Sequence, residues 1–149
     1  RDIGKSGSEE LGNDYFYVLH FPKEKETGIV ELKPRNYILR EKMAKQIEEQ
    51  KRLIDLEMND LKYWGRIPRV RGYDTCSGEI GCRPEVFAQF YRAIQAYAKR
   101  NQANWVHWTY HVGEDFLDLT DGLRAIDETI HFCELPQNSR IGTMEWLLV

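Results

Sequence analysis

Trp105-Val106-His107-Trp108-Thr109-Tyr110-His111-Val112-Gly113-Glu114 is the stretch whose reading decides the fold. Aromatic and β-branched residues fill most of its first seven positions, and Gly113 then permits an abrupt turn, so it predicts a strand over Trp105 to His111 followed by a loop. Read as a helix instead, His107, His111 and Glu114 would fall at i, i+4 and i+7 on one face and offer a three-ligand zinc site. Read as a strand, His107 and His111 share a side but stand about 13 Å apart, so at most one of them serves a given site. The aromatic and β-branched content favours the strand. His111 then sits at a strand's carboxyl end and Glu114 on the following loop, where βα folds present reactive groups. The bland alternative for a lone strand-end histidine is a hydrogen-bonded residue without chemistry.

Outward from this strand the pattern repeats. Tyr15 to Phe21 predicts a buried strand, ended by Pro22 and the charged run Lys23 to Glu26. From Asn36, with Pro34 just ahead, Leu39, Met43, Ile47, Ile54, Met58 and Leu61 recur at helical spacing, while Glu41 to Lys51 supplies a solvated Glu/Lys face. Arg69 to Asp74 predicts a short strand, and Arg83 to Arg100 a helix with Pro84 in its first turn and Phe87, Phe90, Tyr91, Ile94 and Tyr97 on one side. Phe116, Leu119, Leu123, Ile126, Ile130 and Cys133 step by three and four into a third amphipathic helix that Pro136 stops, and Ser139 to Gly142 opens a fourth strand.

Alternating strands and helices place the chain in the α/β class, as consecutive βα units with a parallel sheet. Two architectures fit: an open doubly wound sheet, or a partial (β/α)8 barrel of the TIM type. A whole barrel needs ~250 residues, and the chain has 149. An arc would leave strand edges and an apolar sheet face exposed, favouring aggregation or a partner. No Gly/Ser linker divides residues 14–142, so they are read as one domain. Arg1 to Asn13 are polar and aperiodic, a poorly ordered lead-in, and the absence of an initiator Met suggests a fragment.

Composition narrows the function classes. A formal charge of −3 with interleaved Lys, Arg and Glu gives no electrostatic footprint for nucleic acid. Nothing resembles a targeting peptide or an apolar membrane-spanning run. Cys76, Cys82 and Cys133 are an odd number without a Cys-x-x-Cys pair, which suits a reducing compartment, so the cytoplasm is the expected address. Trp64, Trp105 and Trp108 read as packing groups, since no basic groove accompanies them.

Asp74-Thr75-Cys76-Ser77-Gly78-Glu79 is a second polar turn at a strand's carboxyl end. Gly78 would let a ligand approach the backbone, although in isolation Asp74 or Ser77 capping an ordinary βα loop explains the turn equally well. Cys76 has no neighbouring base in the sequence and is not read as a nucleophile.

Gly72-Tyr73-Asp74 with Ser77-Gly78-Glu79, then His111-Val112-Gly113-Glu114, then Arg140-Ile141-Gly142, in this order and at these separations, resembles the middle of an adenosine deaminase. The likeness runs over Tyr15 to Gly142 and includes Asp121 to Glu128. The family's most specific local motif is His-Ala-Gly-Glu, with Val112 here in place of Ala. The resemblance implies a zinc-dependent hydrolase that deaminates a purine nucleoside. His111 would be a zinc ligand, Glu114 the proton donor to the purine ring nitrogen, and Ser77 and Gly78 substrate contacts. Zinc would activate the attacking water while a carboxylic acid supplies the electron sink. The alternative is a non-catalytic α/β scaffold or binding module that retains the motif.

The family's site also takes a His-x-His pair from the first barrel strand, a His from the sixth and an Asp from the eighth, and none has a counterpart in the 149 residues. His20, His107 and His131 are not expected to substitute: His20 lies in another strand's apolar run, His107 too far along its own, and His131 in a helix. An oligomer could not supply the missing pair, because every copy lacks it. The family pattern also continues Arg-Ile-Gly-His-Gly where this chain has Arg140-Ile141-Gly142-Thr143-Met144-Glu145-Trp146. A Thr143 codon ending in C, followed by the single Met codon, reads His-Gly in the shifted frame, so Thr143 to Val149 is read as a frameshift product. The isolated chain is therefore expected to be inactive.

Overall fold

The computed structural model describes residues 15–26 and 31–142. The polar lead-in and the tail from Thr143 to Val149 lie outside them. Seven elements alternate along the chain: β1 (Tyr17–Pro22), α1 (Tyr37–Trp64), β2 (Val70–Cys76), α2 (Glu85–Arg100), β3 (His107–His111), α3 (Leu119–Phe132) and β4 (Arg140–Gly142). The decisive stretch is a strand, so the helical site of His107, His111 and Glu114 does not form. The four strands lie side by side in chain order, all parallel.

Local chemistry sets the helix bounds. Gly65 takes a left-handed conformation at φ +64° and its N–H closes α1 on the last turn, a conformation that costs glycine little. Asp118 caps α3, its carboxylate accepting the Asp121 N–H at 2.8 Å. Pro84 precedes α2, where its missing N–H costs nothing.

Register and alternation divide the sheet into two faces. Leu19, Phe21, Tyr73, Thr75, Trp108, Tyr110 and Ile141 share one face, on which α2 lies with α1 and α3 against its flanks. The core there is aromatic: Phe90 meets Phe21 and Tyr73, Tyr91 meets Trp108 and Tyr110, and Phe87 meets Tyr110 edge-on. The Tyr91 hydroxyl donates to the Thr109 carbonyl at 2.6 Å and lies 2.9 Å from the Thr75 hydroxyl, joining β2 to β3.

Several expectations are corrected. The β1 strand is an edge, not buried: Tyr15, Phe16, Tyr17 and Val18 are exposed because only β2 pairs with it. The open sheet face is polar rather than apolar, carrying His20, Asp74, His107, Thr109 and His111. α3 buries Gly122, Ala125 and Thr129, with Cys133 just beyond it, and leaves Leu119, Leu123 and Ile130 exposed, because the small residues permit close approach to its neighbours. Trp108 is buried as a packing group, whereas Trp64 is exposed at 73%. No helix among the described residues is long and apolar enough to cross a membrane.

Candidate functional site

The carboxyl ends of the parallel strands converge on one polar mouth. Asp74, expected at the junction of a strand and a polar turn, is the fifth residue of β2, which runs two residues further, and is only 1% exposed. Its Oδ1 pairs with His111 Nδ1 at 3.0 Å, and its Oδ2 lies 2.8 Å from His20 Nδ1. The second contact has ion-pairing distance without hydrogen-bond alignment, which leaves Oδ2 buried with no hydrogen-bond partner. His20, placed by the sequence reading in an apolar run, is thus opposite Asp74 in register and part of the mouth. His107 lies at the far end of β3 and is exposed, while His131 on α3 pairs with Asp127.

The His111 ring spans the sheet from Asp74 on β2 to Gly142 on β4. With Nδ1 directed at a carboxylate, Nε2 is the nitrogen left for a metal, an orientation that carboxylates commonly impose on metal-binding histidines. One donor is short of the about three protein ligands of a catalytic zinc. Among the described residues, His111 Nε2 is thus a single oriented donor.

Gly113, at φ +80°, turns the chain sharply after Val112. The turn is fastened by Glu79, whose carboxylate accepts the Gly113 N–H and the Glu114 N–H at 2.9 Å each. Glu79 closes the Ser77-Gly78-Glu79 turn, so one buried side chain joins the two loops that the sequence singled out. Its own N–H reaches Asp115 Oδ2 at 3.4 Å. Glu114 is half-buried beside this junction. In the other turn the left-handed residue is Ser77, at φ +72°, rather than Gly78. A Cβ on Gly78 would make only an ordinary 3.6 Å contact with Asp115, so its conformation does not require glycine.

Lys23 is the residue that sequence reasoning missed most completely. Read only as part of the charged run that ends the first strand, it is 6% exposed and its ammonium donates to the carbonyls of Ser77 and His111 while lying 5.2 Å from the Tyr110 ring centre. Burial lowers its pKa below the usual lysine value, opposed by the nearby carboxylates of Glu79 and Glu114. The available signal was positional: Lys23 follows β1 directly, at the same strand end where His111 follows from β3. Cys76, read as lacking a base nearby, ends β2 on the open face, grouped with His20 and Asp74. All three cysteines are unbridged. No protein-family model matches the chain, and no curated protein matches it.

Proposed function

We propose that the chain carries part of the site of an adenosine deaminase-like hydrolase, on an arc of a (β/α)8 barrel whose lumen side is the open polar sheet face. The reaction class is hydrolytic deamination of a purine nucleoside. The observation that carries the proposal is the Glu79 carboxylate, which holds the His111–Glu114 turn and the Ser77–Glu79 turn together through two N–H bonds at 2.9 Å. Both motifs of the resemblance thereby meet at one mouth.

Within that mouth, Glu114 as a carboxylic acid would pass its proton to the purine ring nitrogen, making the amino-bearing carbon electrophilic. Glu79 restrains the Glu114 backbone, and Asp74 orients His111 as a ligand. Ser77 and Gly78 line the approach on the β2 side. Zinc, when bound, supplies Lewis acidity and a lower pKa for water. The incomplete ligand set favours the second reading, a non-catalytic α/β scaffold.

Titration of isotopically labelled chain with adenosine separates the two. The deaminase reading expects amide shifts at Ser77, Gly78 and Glu114 with adenosine and none with cytidine. An unresponsive mouth, or equal response to both nucleosides, leaves the scaffold.

A further inference from the structure

Asp74 is buried, and its Oδ2, although 2.8 Å from His20 Nδ1, makes no hydrogen bond. Buried polar oxygens are ordinarily matched by a hydrogen-bond or ligand partner. Oδ1 has His111. Oδ2 is buried without a hydrogen-bond partner and is turned toward the space between β1 and β2. Parallel pairing sets His20 directly across from Asp74, and Cys76 follows Asp74 by two residues, so the three side chains share the open face. One donor atom from each lies within 4.8 Å of the others.

We propose that His20, Asp74 and Cys76 form a binding site for a divalent cation of the zinc class, with a fourth position open to solvent. The donors are an imidazole nitrogen, a carboxylate oxygen and a sulfur. Mg²⁺ and Ca²⁺ select oxygen ligands, whereas a mixed nitrogen, oxygen and sulfur set suits zinc and its spectroscopic substitute cobalt. Bonds of about 2.0 to 2.3 Å place tetrahedral donors roughly 3.3 to 3.8 Å apart, a separation these side chains reach by small rotations. The Ser77 hydroxyl donates toward Cys76 Sγ at 3.8 Å. The nearby Lys23 ammonium is engaged by the Ser77 and His111 carbonyls, with Glu79 and Glu114 offsetting its charge. Three protein ligands and an exposed fourth position are the pattern of a catalytic rather than a structural zinc.

This site does not depend on the deaminase reading. That reading places a metal on His111 Nε2, toward β4, whereas these donors lie across β1 and β2 and use the other oxygen of Asp74.

The test is cobalt(II) titration of the reduced chain, followed by its thiolate-to-cobalt absorption. One equivalent is expected to bind. Cys76→Ser removes the thiolate band, and His20→Gln weakens affinity at least tenfold, while Cys82→Ser and His131→Gln leave the band in place. As a check free of folding effects, cobalt is expected to slow alkylation of Cys76 in the unsubstituted chain. No cobalt uptake overturns the proposal, as does binding indifferent to Cys76→Ser and His20→Gln. Loss confined to His111→Gln also overturns it and moves the metal to the ligand of the deaminase reading.

Discussion

Gly142 lies directly against the His111 imidazole, so close that a Cβ on Gly142 would stand 2.6 Å from Cδ2 and 2.8 Å from Nε2. Glycine at this point of β4 leaves the room the ring occupies while its Nδ1 meets Asp74. Gly142→Ala is therefore expected to push the ring out of place and break its contact with Asp74. Overpacking of this kind costs about 1–3 kcal/mol, which thermal unfolding would read. Nitrogen chemical shifts of the His111 ring check the mechanism: unchanged shifts in the variant would show that the ring is not confined there.

Glu79 offers a second point of control. It is buried, and its two carboxylate oxygens satisfy two backbone donors of the following strand's turn. Glu79→Ala leaves those donors unpaired, at a cost of about 2–4 kcal/mol. Faster hydrogen exchange is expected at Gly113 and Glu114, with the α1 amides unaffected below the global unfolding limit. Glu79→Gln keeps one acceptor and should lose less. Equal exchange in the Ala variant would remove Glu79 from its role as the fastener of the mouth.

Alkaline pH should unfold the protein through its buried thiols and phenols. Burial raises the Cys82 pKa from 9.0 to about 11 and the Cys133 pKa from 9.0 to about 12. Tyr91 and Tyr110 are also raised, chiefly by burial. Above pH 9 the unfolded thiols release protons that the folded ones retain, so stability falls as pH rises. At pH 11 each thiol accounts for a loss on the order of 2 kcal/mol. Lys23 acts in the opposite sense: its pKa is lowered, so its charged form opposes folding and that penalty fades as pH rises toward 10.5. Denaturant titrations from pH 8 to 11 should show a net decline, and Cys133→Ala should flatten its first part. A rising or level profile would contradict this balance.

The 149-residue chain is expected not to release ammonia from adenosine, with or without added zinc. The His-x-His pair that the proposed deaminase reading calls for is absent from these 149 residues, and on that reading Glu114 without an activated water has no reaction to complete. Glu114→Gln should then change nothing in a coupled ammonia assay. Turnover lost in Glu114→Gln would reveal a working site; its further loss in Cys76→Ser would connect that activity to the His20, Asp74 and Cys76 donors.

The sequence alone determined the alternation of four strands and three helices and the placement of His111 at a strand end. These are local properties: a period of about two or 3.6 residues, together with Pro and Gly at the boundaries, is written into consecutive side chains. The approximate bounds followed too, as in α2, where Pro84 and the line of Phe87, Phe90, Tyr91 and Ile94 mark the start and the buried face.

Only the tertiary structure decided which faces are covered and which side chains meet. Leu119, Leu123 and Ile130 made the stronger apolar stripe on α3, yet the helix buries Gly122, Ala125 and Thr129, since close approach depends on the neighbour's shape and small residues carry little hydrophobic signal. Lys23 carries no local sign of burial, since it stands in a charged run; the Ser77 and His111 carbonyls, far along the chain, make its burial tolerable. His20, Asp74 and His111 are spread over 92 positions, from 20 to 111. Their meeting depends on parallel register, which is set by the packing of whole βα units and appears in no short window of sequence.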